Sequence, residues 1–264
     1  MKKIIFDSEL KNALDYCREN ELYFGEGNPN SKILIIGKEG TEDHLSKKQM
    51  ATKNLSSWSN IIDNNRQIND ILFLEDNALY PWKGQNFWLG KHNKDKGKAL
   101  HGTAPTWYYY QLLVDQLLNK PLKNETDHID FHEYCFQSEL SQINAKMSHL
   151  VPKDEEVSRI QSIKEREKLF SLPFFDQFSI IIIACGHYQR NYKFDIENTF
   201  KVKWQGETIH ISRGNWFNVH YNTINESHRI VIHTRQFSNG ISKELINSIA
   251  KKCNEFIRDK QIEL

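Results

Sequence analysis

The chain has 264 residues with nearly equal numbers of basic and acidic side chains, 35 and 34, so its formal net charge is +1. This balance excludes a strongly basic nucleic-acid coat, although it is compatible with a local basic patch. A hydrophobic fraction of 39% is enough for an ordinary core and excludes a mainly disordered chain. No apolar run reaches the roughly 18 residues of a membrane-spanning helix, and we expect no membrane association.

The first predicted elements are a helix and a buried strand. Asp7 and Glu9 interrupt the apolar part of MKKIIFDSELKNALDYC, which favours an amphipathic helix over a signal peptide. The run KILIIG at 32–37 is continuous and β-branched, as is typical of a strand covered on both faces in a parallel sheet. It ends in Gly-Lys-Glu-Gly, with Glu39 between two glycines. The polar residues at about 45–100 predict an irregular insertion.

Helix and strand patterns alternate through the rest of the chain. The predicted helices are 106–118, 155–172 and 242–260, and the further predicted strands are 128–140, 178–186 and 229–234. This alternation favours helices packed on a mostly parallel sheet. We therefore predict one domain over residues 1–264, a three-layer α/β/α sandwich with a central, mostly parallel four-stranded sheet.

Polar residues or glycines follow each predicted strand, and ligands of open parallel sheets bind at the carboxyl ends of strands. After the first strand, the glycines allow a close backbone approach and Glu39 would lie at the mouth of a site. An ordinary surface turn would explain the same residues. After the last strand, His233 can donate to a developing anion, or its ring can simply be satisfied by backbone.

Two stretches resemble motifs of the uracil-DNA glycosylase superfamily: FGEGNPNSKILIIGKEG at 24–40 and HTRQFS at 233–238. The iron-sulfur branch carries F-G-E-G-N-P-N-A before an apolar strand, and the late superfamily motif has the form H-P-S-x-L-S. Between them, SIIIIACG resembles the superfamily's apolar strand, and ISRGNW resembles the turn before its last strand. The chain is identified as a divergent member of this superfamily.

The sequence also departs from the superfamily. Cys17 stands alone where the iron-sulfur branch has C-x-x-C, so we predict no iron-sulfur cluster, no metal site and no other cofactor. The four cysteines are scattered, which favours reduced thiols in the cytoplasm. Thr234 and Gln236 replace both prolines of the late motif, and Arg235 replaces a small residue.

The resemblance implies cleavage of the N-glycosidic bond of a flipped base in DNA. Glu39 would position the water and His233 would donate to the departing base. The resemblance places Gly37, Lys38, Glu139 and Trp107 around the base, and Gly40, Arg235, Phe237 and Ser238 against the DNA. Phe237 is the candidate wedge in the base stack, although it can equally pack against the last helix.

Some assignments have alternatives. Glu139 aligns with the base-reading position, with Glu133 as runner-up. An ionised Glu only accepts hydrogen bonds and would prefer an amino-bearing base. Glu139 can also be a solvated residue at a strand end. Trp107 or Tyr108 would stack on the base, although both fit a core helix. The lysine-rich run at 91–98 contacts phosphates or is a solvated loop.

We therefore expect a monomeric DNA glycosylase-like hydrolase that acts on a non-standard base. Two alternatives stay open: a non-catalytic nucleic-acid-binding module on the same fold, and a hydrolase of small nucleotide-like ligands. The near-zero net charge favours the small ligand, whereas the Phe237–Ser238 pattern favours the polymer.

Overall fold

The computed structural model of the chain describes residues 3–39, 45–71, 77–89, 102–143, 156–222, 228–238 and 240–264. Gly40 and the lysine-rich run at 91–98 lie outside these ranges. The helices are α1 (Ser8–Glu19), α2 (Lys47–Asp63), α3 (Pro105–Leu117), α4 (Glu156–Phe170), α5 (Tyr188–Asn191), α6 (Ile196–Phe200) and α7 (Lys243–Asp259). The strands are β1 (Glu26–Gly27), β2 (Ile33–Glu39), β3 (Asn86–Leu89), β4 (Gly102–Thr103), β5 (Phe136–Ser141), β6 (Ile180–Ala184), β7 (Val202–Ser212), β8 (Asn215–Asn222) and β9 (Ile230–Thr234).

The central sheet has the strand order β1-β5-β2-β6-β9-β8-β7. Its four middle strands, β5, β2, β6 and β9, are parallel and are those that the apolar runs predict. The prediction of four strands is nevertheless wrong, because β1, β8 and β7 extend the sheet to seven by antiparallel pairing. Most of β7 is exposed, so it lacks the apolar signal that marks the parallel strands.

Helices pack on both faces of the sheet because alternate residues of the parallel strands point to opposite sides. Leu34 and Ile36 belong to a core formed with α1, α2, α4, α5 and α6. Ile33 and Ile35 belong to a second core formed with α3 and α7. The expected α/β class and the mostly parallel centre of the sheet are therefore confirmed.

The stretch at about 45–100 is not uniformly irregular. Within the described part of it, α2 forms a helix of 17 residues whose Ser46 side chain caps the backbone of Gln49, while the Gln49 side chain returns to Ser46. This reciprocal capping box is a recognisable start signal. The many Asn and Ser residues of α2 obscure its buried face, which includes Leu55, Trp58 and Ile61.

In the described part of the chain, none of the helices combines the length and the apolar character needed to cross a bilayer.

Candidate active site

A cavity of about 410 Å³ lies at the carboxyl ends of β2 and β5, and we call it the strand-end cavity. Gly37, Lys38 and Glu39 contribute one wall, and Glu139 contributes another. Most of the remaining lining comes from α2, from the N-terminal part of α3 and from the segment before β3. The rule that ligands bind at the carboxyl ends of parallel strands therefore leads to the cavity that contains the predicted carboxylate.

Glu39 is a buried carboxylate held from one side. Its Oε2 accepts a hydrogen bond from the Tyr188 hydroxyl at 2.7 Å and forms an ion pair with Arg159 Nη2 at 3.2 Å. Both charged side chains of the ion pair are about 95% buried, at 4% and 5% exposure. Oε1 of Glu39 is buried without a hydrogen-bond partner. One oxygen of this carboxylate is therefore left without a hydrogen bond, on a residue that lines the strand-end cavity.

Glu139 occupies the space that a side chain at position 37 would fill. Gly37 and Glu139 are paired across β2 and β5, and a Cβ on Gly37 would lie 2.8 Å from Cδ of Glu139. Burial and the nearby Glu26 carboxylate raise the pKa of Glu139 to about 8. This shift favours the protonated carboxyl, which can both donate and accept a hydrogen bond. The expectation that Glu139 only accepts assumed an ionised carboxyl, and the raised pKa favours the other form.

Gly37→Ala is expected to displace the Glu139 carboxyl, because the new methyl group overlaps it. We expect a loss of about 1–3 kcal/mol in the free energy of unfolding, the usual range for overpacking. Urea unfolding would measure it, and the double variant with Glu139→Ala provides the control because it restores the space. Equal losses with and without the Glu139 carboxyl would contradict the assigned overlap.

Four buried polar atoms without hydrogen-bond partners belong to residues that line the strand-end cavity. They are Glu39 Oε1, Glu139 Oε2, Gln137 Oε1 and Trp82 Nε1. An unsatisfied buried polar group typically costs about 1–3 kcal/mol, so a cluster of them around one cavity indicates a place for a polar ligand. Sequence reasoning missed Gln137 and Trp82, and the position of Gln137 two residues before Glu139 on the same strand was the available signal.

An aromatic wall completes the cavity. The rings of Trp82 and Trp107 stack with centroids 3.9 Å apart and an interplanar angle of 28°, and Tyr110 lies beside them in the lining. Trp107, the predicted base-stacking residue, thus lines the strand-end cavity. Tyr108 is not in this lining and stacks instead on Phe87, with centroids 4.7 Å apart.

Lys38 brings an amine to the cavity. Its Nζ lies over the Tyr188 ring, 4.3 Å from the centroid. Burial lowers the pKa of Lys38 from its ordinary value, although the Glu39 carboxylate opposes this effect. A larger fraction of this amine is therefore neutral at a given pH than in an exposed lysine.

The structure does not bring His233 into the strand-end cavity. Through the paired strands, Ile36 aligns with Ile183 and Ile183 with His233. Glu39 therefore lies three residues further along β2, and β6 separates β2 from the strand of His233. His233 Nε2 lies 2.9 Å from the Gly186 carbonyl oxygen, and burial lowers its pKa to about 4. The ring is therefore neutral, donates to backbone and lines a second cavity of about 550 Å³. These contacts argue against a shared site with Glu39.

The late motif mainly has structural contacts. Phe237 is fully buried in the core with α3 and α7, 5.9 Å from the Tyr110 ring, so it is not available as a wedge in this structure. Arg235 Nη1 donates to the carbonyls of Gly214 and Gly240. Ser238 is only partly buried, and its backbone N–H donates to Gln236, the residue of this loop that lines the strand-end cavity. Gly40 lies outside the described residues.

Glu133, the runner-up for the base-reading position, and Asn77, in the lining of the cavity, have other roles. Glu133 belongs to a 3-10 turn and is not part of the lining of the strand-end cavity. Asn77 does line it, but its amide donates to Ile71 and accepts from Leu79 and Tyr80, which fixes the local turn. Asn77 therefore shapes the wall of the cavity rather than offering free polar atoms.

The described residues contain no group of three His, Cys, Asp or Glu side chains suited to a metal ion. All four cysteines are buried and free. A comparison of the chain with protein-family models gives no match, and a comparison with curated proteins gives none either.

Proposed function

We propose that the chain is an N-glycosidic hydrolase of the DNA glycosylase type, built on a three-layer α/β/α scaffold, that binds a flipped base in the strand-end cavity. The observation that carries the proposal is the clustering of unpartnered buried polar atoms beside a stacked tryptophan pair. A nucleobase is planar and carries donors and acceptors on its edge, so it complements both features. The resemblance of the two sequence motifs points to the same chemistry.

Each reacting group has a place in this proposal. Glu39 Oε1 would orient or deprotonate the attacking water, and the carboxylate charge would steady the oxocarbenium-like sugar. The departing base needs hydrogen-bond donors. The protonated Glu139 carboxyl and Trp82 Nε1 supply them within the cavity, in place of His233.

The base preference changes with the protonation of Glu139. A carboxylic acid offers one donor and one acceptor side by side, which pairs with an amide-like edge as well as with an amino-bearing edge. Uracil is therefore again a candidate, together with the non-standard bases of the original expectation.

A second candidate function is hydrolysis of a small nucleotide-like ligand. The net charge of +1 and the burial of Phe237 favour it. A chain with this charge attracts the DNA phosphates only weakly, and a buried Phe237 does not insert into the base stack. A non-catalytic binding module would use the same cavity without turnover. From the free cysteines we also propose that the protein works in the cytoplasm. The proposal that it is a monomer comes from the sequence.

The test uses oligonucleotides, single- and double-stranded, that each carry one member of a panel of bases, together with the matching free nucleosides. Alkali cleavage reports abasic sites, and chromatography reports released base. Release from an oligonucleotide supports the glycosylase, and release from nucleosides alone supports the second candidate. Binding without release from either substrate would support the non-catalytic module and contradict hydrolysis.

A further inference from the structure

Lys38 differs from an ordinary cavity lysine in how its amine is held. Its Nζ rests on the Tyr188 ring at 4.3 Å from the centroid, and no carboxylate of the described residues lies within ion-pair distance of it. Lys38 lies between Gly37 and Glu39 in β2, and all three residues line the same cavity. It is therefore positioned against whatever occupies that space.

Lys120 shows what a stacked lysine looks like when it is held as a cation. Its Nζ lies 3.4 Å from the centroid of the Tyr134 ring and forms an ion pair with Asp130 at 3.2 Å. Burial favours the neutral amine, but Tyr134 and Asp130 outweigh this effect and raise the pKa of Lys120. At Lys38 burial prevails and lowers the pKa, which increases the fraction of nucleophilic amine.

We propose that Lys38 is a nucleophile that gives the chain a second activity: cleavage of the DNA strand at an abasic site through a Schiff base. The inference rests on the proposed function, because base release in this cavity would leave an abasic sugar next to Lys38. The geometry that supports it is the shared cavity of an unpaired amine, Lys38 Nζ, and a carboxylate oxygen without a partner, Glu39 Oε1.

The reaction needs no oxidant, reductant or additional reactant. The Lys38 amine attacks C1′ of the ring-opened sugar and an N–C bond forms. The aldehyde oxygen takes one proton from the amine and one from solvent and leaves as water, which gives an iminium. Glu39 Oε1 then removes a proton from C2′, and that electron pair forms a C2′–C3′ double bond as the C3′–O bond breaks. The phosphate leaves on the downstream strand. Water hydrolyses the iminium, which releases the unsaturated aldehyde and restores the lysine.

The experiment supplies the abasic site in advance, so that it does not depend on base release. Wild-type protein is incubated with a duplex that carries one preformed abasic site, with and without borohydride, and denaturing gels separate covalent adduct and cut strand. We expect borohydride to trap an adduct. Lys38→Ala and Lys38→Gln should reduce it at least about tenfold, whereas Lys120→Ala should keep it. Glu39→Gln should keep trapping but slow strand cleavage, because the amine remains and the base is lost.

The inference is overturned if wild-type protein gives no adduct, or if the Lys38 variants trap as much as Lys120→Ala. Circular dichroism of each variant separates a folding defect from a chemical one, and the two Lys38 substitutions provide independent versions of the same loss. Base release is scored separately on an intact base. Release without trapping defeats only the Schiff base, and trapping without release defeats only the proposed hydrolase.

Discussion

Glu39→Gln is expected to reduce base release by about 10²–10⁴-fold, the usual contribution of a positioned acid–base group. The substitution keeps the size of the side chain and an oxygen that can accept from Tyr188, but it removes the charge and the basic Oε1. Substrate binding should change much less than turnover, since the proposed role of Glu39 lies in the water and the sugar cation. Single-turnover kinetics on the best base of the panel would measure the loss.

The same substitution has a stability effect that must be separated from the chemical one. Arg159 is buried and would lose this anionic partner, so we expect Glu39→Gln to lower the free energy of unfolding by roughly 3–5 kcal/mol. Glu165→Gln on α4 removes a more exposed ion pair, with Lys47, and should leave base release unchanged. A Glu39→Gln variant that is folded and still fully active would contradict the proposed role of the carboxylate.

The parallel centre of the sheet could be predicted because it is buried on both faces. Such strands need apolar residues at nearly every position. The continuous apolar runs of β2 and β6 therefore predict strands even when the neighbouring strands are not known. The hairpin of β7 and β8 could not be located in the same way. Its outer strand is solvated, and only the turn at Arg213–Gly214, between the paired Ser212 and Asn215, was visible in the sequence.

Only the site residues at the carboxyl ends of the parallel strands could be predicted from the sequence. Glu39 was found because it follows an apolar run, and Glu139 was found through the resemblance to the superfamily. The parallel pairing of β2 and β5 places the two strand ends side by side. The partners of Glu39, Arg159 and Tyr188, come from α4 and α5, far along the chain, and only tertiary packing reveals them. His233 shows the opposite failure, because a strand end places a residue near the correct edge but does not determine which cavity its side chain enters.

Glu139→Gln tests whether the buried carboxyl works as a neutral donor. The pKa of Glu139 is about 8 in the folded chain, whereas its ordinary value, which applies to the unfolded chain, is 4.5. Between pH 4.5 and about 8 the folded state therefore keeps a proton that the unfolded state loses. The Glu139 contribution to stability therefore falls as pH rises from 4.5 to about 8, by up to about 5 kcal/mol in total. Gln has no such dependence, and the variant should gain stability relative to wild type across the window.

Urea unfolding of both proteins at several pH values from about 5 to about 9 would measure this difference. The groups that act on Glu139 besides burial are Glu26 and Glu39, which raise its pKa, and Arg166, which lowers it. Glu133→Gln is the matched control, since burial also raises the pKa of Glu133 outside the cavity. Parallel stability curves for wild type and Glu139→Gln would show that the carboxyl is ionised in the folded chain.

The pH dependence of base release should follow the protonation of the Glu139 carboxyl. If the neutral carboxyl donates to the departing base, wild-type activity declines as pH rises through about 8. The Glu139→Gln variant keeps an N–H donor at every pH, so its alkaline decline should disappear, whereas Glu133→Gln should retain it. A decline that persists in Glu139→Gln would assign it to another group and remove Glu139 from the proposed recognition of the base. Loss of activity at every pH, with stability gained, would instead show that the acidity of the carboxyl is needed as well as its donor.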